Sequence, residues 1–261
     1  MQHQTIMRAA FLGLAMALQA DGGARADDSA EILKRDDWSF RISPYAWAAS
    51  LEGTVAAADA VPPIEIDAGF DDILRNLDLA AMVFAELRYQ RFGVYADIIL
   101  TNISVDADTP REILFDDADV RNGLFIGTFG AAYRVLEGKR GLLDVLLGAR
   151  AWSVDTRLNL DDGLLDDQEF ESNENWVDPM IGLKGRFNLG HGFYWQSLAH
   201  IGGFGAASEL TWDVFGGFGY EFNDTVSAIL GYRHLEVDYD HGAFSFDVEL
   251  SGPVIGATLH F

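Results

Sequence analysis

The feature that most constrains this chain is an alternation that changes sides partway along each strand. In residues 225–240, Val226, Ala228, Leu230 and Tyr232 are apolar on one face, and the same face continues as His234, Glu236 and Asp238. The opposite face carries Ser227, Ile229, Gly231 and Arg233, then Leu235, Val237 and Tyr239. A period of two marks a strand with two different environments. Residues 141–160 repeat the exchange: Leu143, Val145, Leu147, Ala149 and Ala151 give way to Ser153, Asp155, Arg157 and Asn159. Residues 92–106 and 243–261 follow the same rule.

One arrangement satisfies it. Near one end of the sheet the outside meets lipid and must be apolar, while the inside can hold charge. Further along, the strands enter water, the outside becomes polar and the inside packs as a core. A soluble barrel would keep one polarity along its whole length. The apolar outer runs last about nine residues, close to what a tilted strand needs to cross a bilayer. Only a closed sheet satisfies its backbone in lipid.

Ten candidate strands follow from the pattern: 38–54, 79–90, 92–106, 112–136, 141–160, 173–188, 192–205, 208–222, 225–240 and 243–261. The fold expected is all-β, a transmembrane antiparallel up-and-down β-barrel of about ten strands, with eight or twelve as alternatives if a long connection pairs differently. The turns "QRFG" (90–93), "LEGKRG" (136–141), "NLGHG" (188–192) and "FND" (222–224) are tight. Most connections at the other end are longer and acidic, notably 55–78 and 161–172. Such asymmetry matches periplasmic turns and extracellular loops. Within the first loop, Phe70, Ile73, Leu74 and Leu77 can line one face of a short helix or belong to an irregular loop.

Residues 1–26 read as a signal peptide: Arg8, the apolar stretch 9–18, and "ARA" (24–26) as a cleavage site near Ala26. Residues 27–37 form a short lead, and 38–261 the barrel domain. The expected location is the bacterial outer membrane. The net charge of −23 argues against nucleic acid as a partner. With no cysteine there is neither a disulfide framework nor a thiolate metal site, and no cofactor is expected.

Aromatic residues sort by face and height. Trp38, Tyr89, Tyr133, Phe187, Phe193, Trp195, Tyr220, Phe222 and Phe261 fall on the outer face near the short turns, as an interfacial girdle does. Tyr232, Trp212 and Phe125 supply a sparser one at the other interface.

Parity places a set of charges inside the lower barrel: Arg41, Arg88, Arg134, Arg150, Lys184, Arg186 and Arg233, against Glu86, Asp97, Asp144, Asp178, Asp213 and Glu221. Seven basic groups against six acidic ones make a near-neutral lumen in a strongly acidic chain. Two readings follow. The charges pair and plug the barrel, or they line a narrow path for ions and small solutes. Above them Tyr45, Trp47, Trp152, Trp176, Leu235, Val237, Phe244 and Phe246 point inward. They form either the core of the protruding barrel or an apolar chamber for a hydrophobic ligand or lipid tail.

The leading function expected is structural or a narrow channel, with a lipid-active enzyme or a hydrophobic-ligand transporter using the apolar chamber as the alternative. A protease reading needs both an Asp pair and an Asp/His pair at the extracellular rim. Asp240 and His241 lie there, but neighbours on a strand face opposite ways. The acidic loop 160–174 can attract divalent cations, although it lacks an EF-hand spacing.

Several stretches resemble small proteobacterial outer-membrane barrel proteins of the opacity-type and porin-like superfamily: "SPYAWAASLEGTV" (43–55), "YADIILTNISV" (95–105), "LLGARAWSVD" (146–155), "NWVDPMIGLKGR" (175–186), residues 201–224 and residues 231–261. The terminal strand "VIGATLHF" ends in Phe261, and its resemblance to the C-terminal signature of such proteins implies recognition by the barrel-assembly machinery. The resemblance further implies an outer-membrane setting, with lipid and lipopolysaccharide as partners. One departure stands before "IGGFG", where Ala199 and His200 replace the Gly-Asp that the resemblance implies. The resemblance implies no substrate.

Overall fold

The computed structural model describes residues 38–56, 64–75, 77–108, 117–161, 168–242 and 244–261. The expected signal peptide and lead (1–37) and the centre of the acidic loop (162–167) lie outside them.

Every long element is a strand, as the period of two requires. They are β1 (Trp38–Trp47), β2 (Ser50–Ala56), β3 (Ile64–Ala68), β4 (Leu77–Tyr89), β5 (Phe92–Asp108), β6 (Asp117–Gly138), β7 (Gly141–Asp161), β8 (Gln168–Gly190), β9 (Phe193–Gly203), β10 (Leu210–Glu221), β11 (Val226–His241) and β12 (Phe244–His260). Strands β4 to β12 pair antiparallel in chain order, and β1 pairs with both β4 and β12. The result is a closed ten-stranded barrel. No backbone edge remains where lipid would meet it.

The first expected strand, 38–54, is broken. The chain crosses Gly252 at Ala48–Ala49, and a Cβ on Gly252 would collide with the Ala48 carbonyl. Beyond the break, β2 continues along the upper half of β12, from Ser50 opposite Ser251 to Ala56 opposite Ser245. The connection expected as loop 55–78 holds two elements: β3, which folds back on β2, and a short helix, α1 (Phe70–Arg75). These two extra strands bring the sheet to twelve while the wall stays at ten.

The tight turns fall where the sequence places them. Gln90 and His191 take φ of 51° and 54° there, a left-handed region tolerated in short polar turns. Outward side chains near those turns are large and apolar: Val94, Val145, Leu147, Ile181, Phe218, Leu230 and Ile255 are all exposed. Below them the rings form contacts around the rim: Trp38 with Tyr89 (4.9 Å), Phe92 with Tyr133 (5.0 Å), Phe193 with Tyr220 (4.8 Å) and Phe40 with Phe261 (5.9 Å). Of the expected upper girdle, Tyr232 is exposed, while Trp212 is buried against His234. An apolar band with an aromatic border is the surface of a membrane-spanning barrel.

Candidate functional site

The lumen is built in layers, because inward positions recur every second residue on strands that lie side by side. The lowest layer centres on two carboxylates. Glu86 accepts from Arg41 (2.5 Å), from Arg88 Nη2 (2.7 Å) and from Lys184. Asp144 accepts from Arg88 Nη2 (2.5 Å) and Arg134 Nε (3.0 Å), with Lys184 Nζ at 3.3 Å. Four cations thus share two anions, each anion bridging strands that are not neighbours.

Next comes a layer of rings. Tyr95 Oη lies 3.1 Å from His200 Nε2, and Phe84 stacks on Tyr95. His200 stands opposite Asp213 in the register of β9 and β10, between the two charged layers.

The second charged layer is balanced. Asp213 accepts from Arg150 Nη2 (2.7 Å) and from Arg233 Nη2 (2.6 Å) and Nε (3.0 Å). Arg233 Nη2 also donates to Asp97 (2.8 Å), and Arg150 Nε donates to Thr128 Oγ1 (2.8 Å). Tyr45 joins this layer to the apolar group above: it packs against that cluster, while its hydroxyl donates to Asp97 (2.8 Å) and accepts from Arg233 Nη1 (2.9 Å). Asp144, Arg150 and Asp213 have 0% of their surface exposed. Charges so deep persist because each is paired and its remaining polar atoms are mostly hydrogen-bonded.

Above this layer the expected apolar chamber is filled. Trp176 stacks between Trp152 (5.5 Å) and Tyr239 (4.0 Å), with Phe244 and Phe246 against it. Trp47, Leu235 and Val237 join the same buried cluster, and Arg233 lies over the Trp47 ring at 5.1 Å. Aromatic rings at such spacing leave no room for a ligand of their own size.

Three expected lumen charges lie apart from both layers. Asp178 accepts from the Ser208 backbone N–H (2.8 Å) and hydroxyl (2.7 Å), holding the β9–β10 connection, and Trp176 Nε1 donates to the same hydroxyl (3.0 Å). Parity gave its face, but its height is that of the apolar core. Arg186 and Glu221 pair with each other at the mouth beside the tight turns, with the guanidinium 3.6 Å from the Tyr194 ring.

A cavity of about 80 Å³ lies within the lumen, lined by residues of β1, β4, β5 and β8–β12. Phe84, Leu198, Phe215, Ile229 and Val254 give it apolar sides, and Asp97, Arg233 and Tyr45 are among its lining. Tyr194, also part of its lining, packs over Gly219, where a Cβ would strike its ring.

On the outside, where β11 leaves the apolar band, His234, Glu236 and Glu249 bring three donor atoms within 4.8 Å of one another. By alternation alone these residues belong to the polar upper halves of two strands. The spacing His-x-Glu on one strand face, at the point of the polarity exchange, was the available signal.

No family model and no curated protein matches this chain. Solved structures do. The outer membrane protease OmpT of Escherichia coli superposes with a TM-score of 0.53 at 10% identity, over 86% of this chain and 97% of that one. The attachment invasion locus protein Ail of Yersinia pestis gives a TM-score of 0.36 at 13% identity, over 87% and 100%. The toluene transporter TbuX of Ralstonia pickettii gives 0.38 at 9% identity, over 87% and 90%. The fold is that of an outer-membrane β-barrel. The neighbours differ in role, and at these identities they bear on the fold alone.

Proposed function

We propose that the protein is a non-enzymatic barrel of the Gram-negative outer membrane whose lumen is closed, and which works through its surfaces instead of conducting solutes. The observation that carries this reading is the mutually paired, buried Asp213, Arg150 and Arg233 beneath the packed cluster of Trp152, Trp176, Leu235 and Val237. An ion entering from the periplasm meets a paired, desolvated layer and then a ring-packed core. Opening a path means parting charges whose separation in low dielectric costs several kcal/mol, on the order of 3–5 for one broken pair.

The cavity is part of the same lumen, and the mutually paired Arg233, Asp97 and Tyr45 form one side of its lining. A catalytic reading finds little support at the rim: His241 stacks on inward Tyr239 (6.4 Å), whereas Asp240 is exposed on the opposite face. In the membrane the partners are lipid and lipopolysaccharide, and during insertion the assembly machinery that reads Phe261.

Single-channel recording of the refolded mature barrel in a planar bilayer tests the proposal. Silence from a sample shown to be folded by heat-modifiable migration is the expected result. Stable, reproducible steps whose size changes on neutralising Arg150 or Arg233 would replace the closed barrel with a narrow pore.

A further inference from the structure

The outer face carries an arrangement that a sheet does not adopt for its own stability. Glu236 on β11 is directly opposite Glu249 on β12, Glu249 is opposite Glu52 on β2, and Glu52 is opposite Asp67 on β3. Four acids therefore stand side by side on adjacent strands, and the row contains no lysine or arginine. Like charges placed directly across a ladder are unfavourable.

His234 lies diagonally beside the first pair. Its Nδ1 is 3.2 Å from Glu249 Oε1, and its Nε2 is 3.9 Å from Glu236 Oε2. That Nε2 is shut off from solvent and has no hydrogen-bond partner. With the proton on Nδ1 and donated to Glu249, Nε2 presents a bare lone pair to a carboxylate, two acceptors facing each other with nothing between them. A buried acceptor in that state is costly. Only positive charge between them relieves it, either a second proton on the imidazole or a bound cation, and the row of acids favours both.

We propose that His234, Glu236 and Glu249 form a binding site for a divalent transition-metal cation of the Zn²⁺ class, on the outside of the barrel just above its apolar band. The distances suit the chemistry. Two ligands at about 2.0–2.1 Å from one tetrahedral Zn²⁺ stand roughly 3.4 Å apart. The Nε2 and Oε2 atoms need to close by only about half an ångström to reach that separation. An imidazole among the donors favours Zn²⁺ over Ca²⁺ or Mg²⁺, which prefer all-oxygen sets. Glu249 acts first as the carboxylate that holds the imidazole tautomer, a common outer partner of a metal-binding histidine. It is also near enough to supply an oxygen of its own.

The surroundings are built to hold the first ligand still. Trp212 Nε1 donates to Glu236 Oε2 at 2.9 Å, and its ring stacks on His234 at 4.4 Å. One indole thereby fixes both groups. Glu249 is 41% exposed, so the remaining coordination position faces outward, towards water or the phosphate level of the membrane.

The test is calorimetric titration of tag-free, chelator-stripped, refolded barrel with ZnCl₂ in detergent, followed by Co²⁺ absorption spectroscopy. One equivalent should bind. His234→Ala should weaken binding more than about tenfold, and Trp212→Phe, which touches no metal, about tenfold. Co²⁺ should give a visible ligand-field band that His234→Ala abolishes. Should His234→Ala fail to fold, Glu236→Gln serves in its place. Absence of saturable Zn²⁺ binding overturns the proposal. So does equal affinity for Ca²⁺ and Zn²⁺ that ignores His234, which would mean diffuse screening of the acidic row. Adding vesicles with and without phosphate-bearing lipid shows whether the open position takes water or phosphate.

Discussion

The lower and upper halves of this barrel are inversions of each other. Below, charges fill the lumen and apolar side chains cover the outside. Above, aromatic rings fill the lumen and acids cover the outside. The same strands run through both halves without a change of register along β11 and β12. Along these two strands nothing in the backbone marks the border. What changes is the medium outside the wall, and each side chain follows it. The comparison teaches that inside and outside are not fixed labels for a strand. The face next to lipid must be apolar, and its opposite is then free to carry charge if the charges satisfy one another.

The sharpest way to break the comparison is to make the lower lumen resemble an unpaired version of itself. Asp213→Ala leaves Arg150 and Arg233 buried without their shared partner, and should cost about 3–5 kcal/mol in urea unfolding. Trp176→Ala attacks the upper lumen, where packing and not pairing holds the core, and should cost a similar sum, about 3–5 kcal/mol. A double variant of the two should be close to additive if the layers are independent. On the outside, Leu147 is 66% exposed in the lipid-facing band, and Leu147→Arg should destabilise by about 2–4 kcal/mol in bilayers. Asp155→Arg, on the same face of β7 above the band, should change stability by less than about 0.5 kcal/mol. Equal effects of the two would erase the border.

The smallest effect belongs to the acidic upper surface. Burial, followed by Asp247 and Asp240 nearby, raises the Asp238 carboxyl above its ordinary range. An acid with a raised pKa in the fold binds its proton more tightly folded than unfolded. The fold therefore loses a little stability as pH rises through the ordinary carboxylate range and up to the raised value. Asp238→Asn should raise the Tm slightly at pH 7, and the gain should vanish on acidification below the carboxylate range. A gain that persists at low pH would assign the effect to something other than charge.

The walls of the barrel were legible because alternation, turn chemistry and the girdle all depend on local sequence. Leu147 and Asp155 declare their faces without knowledge of any partner. The short strand β3 was not legible: "IEIDA" follows two prolines and sits among acids, so it reads as loop until β2 is there to pair with it. In the lumen, parity gives the face of a residue but not which strand it meets across the barrel. Tyr45 therefore read as part of an apolar chamber, although its hydroxyl completes the Arg233–Asp97 layer. Asp178 read as one more lumen charge, although its height places it under Ser208. His234 and Glu236 were read correctly as outward, but their meeting with Glu249 depends on the β11–β12 register.

The seam between β1 and β12 carries a demand on assembly. Ser43 and Thr258 hydrogen-bond across it at 2.7 Å with 215 positions of chain between them. From β4 to β12 each wall pairing joins consecutive strands and can form as the chain is laid down, whereas β1, and β2 above it, wait for the last strand. Until the seam forms, the sheet keeps two raw edges, each able to pair with the wrong chain. Contacts of such separation form slowly. A newly made molecule is therefore most vulnerable just before closure, and whatever escorts it must shield two strands that are strangers in sequence and neighbours only at the end.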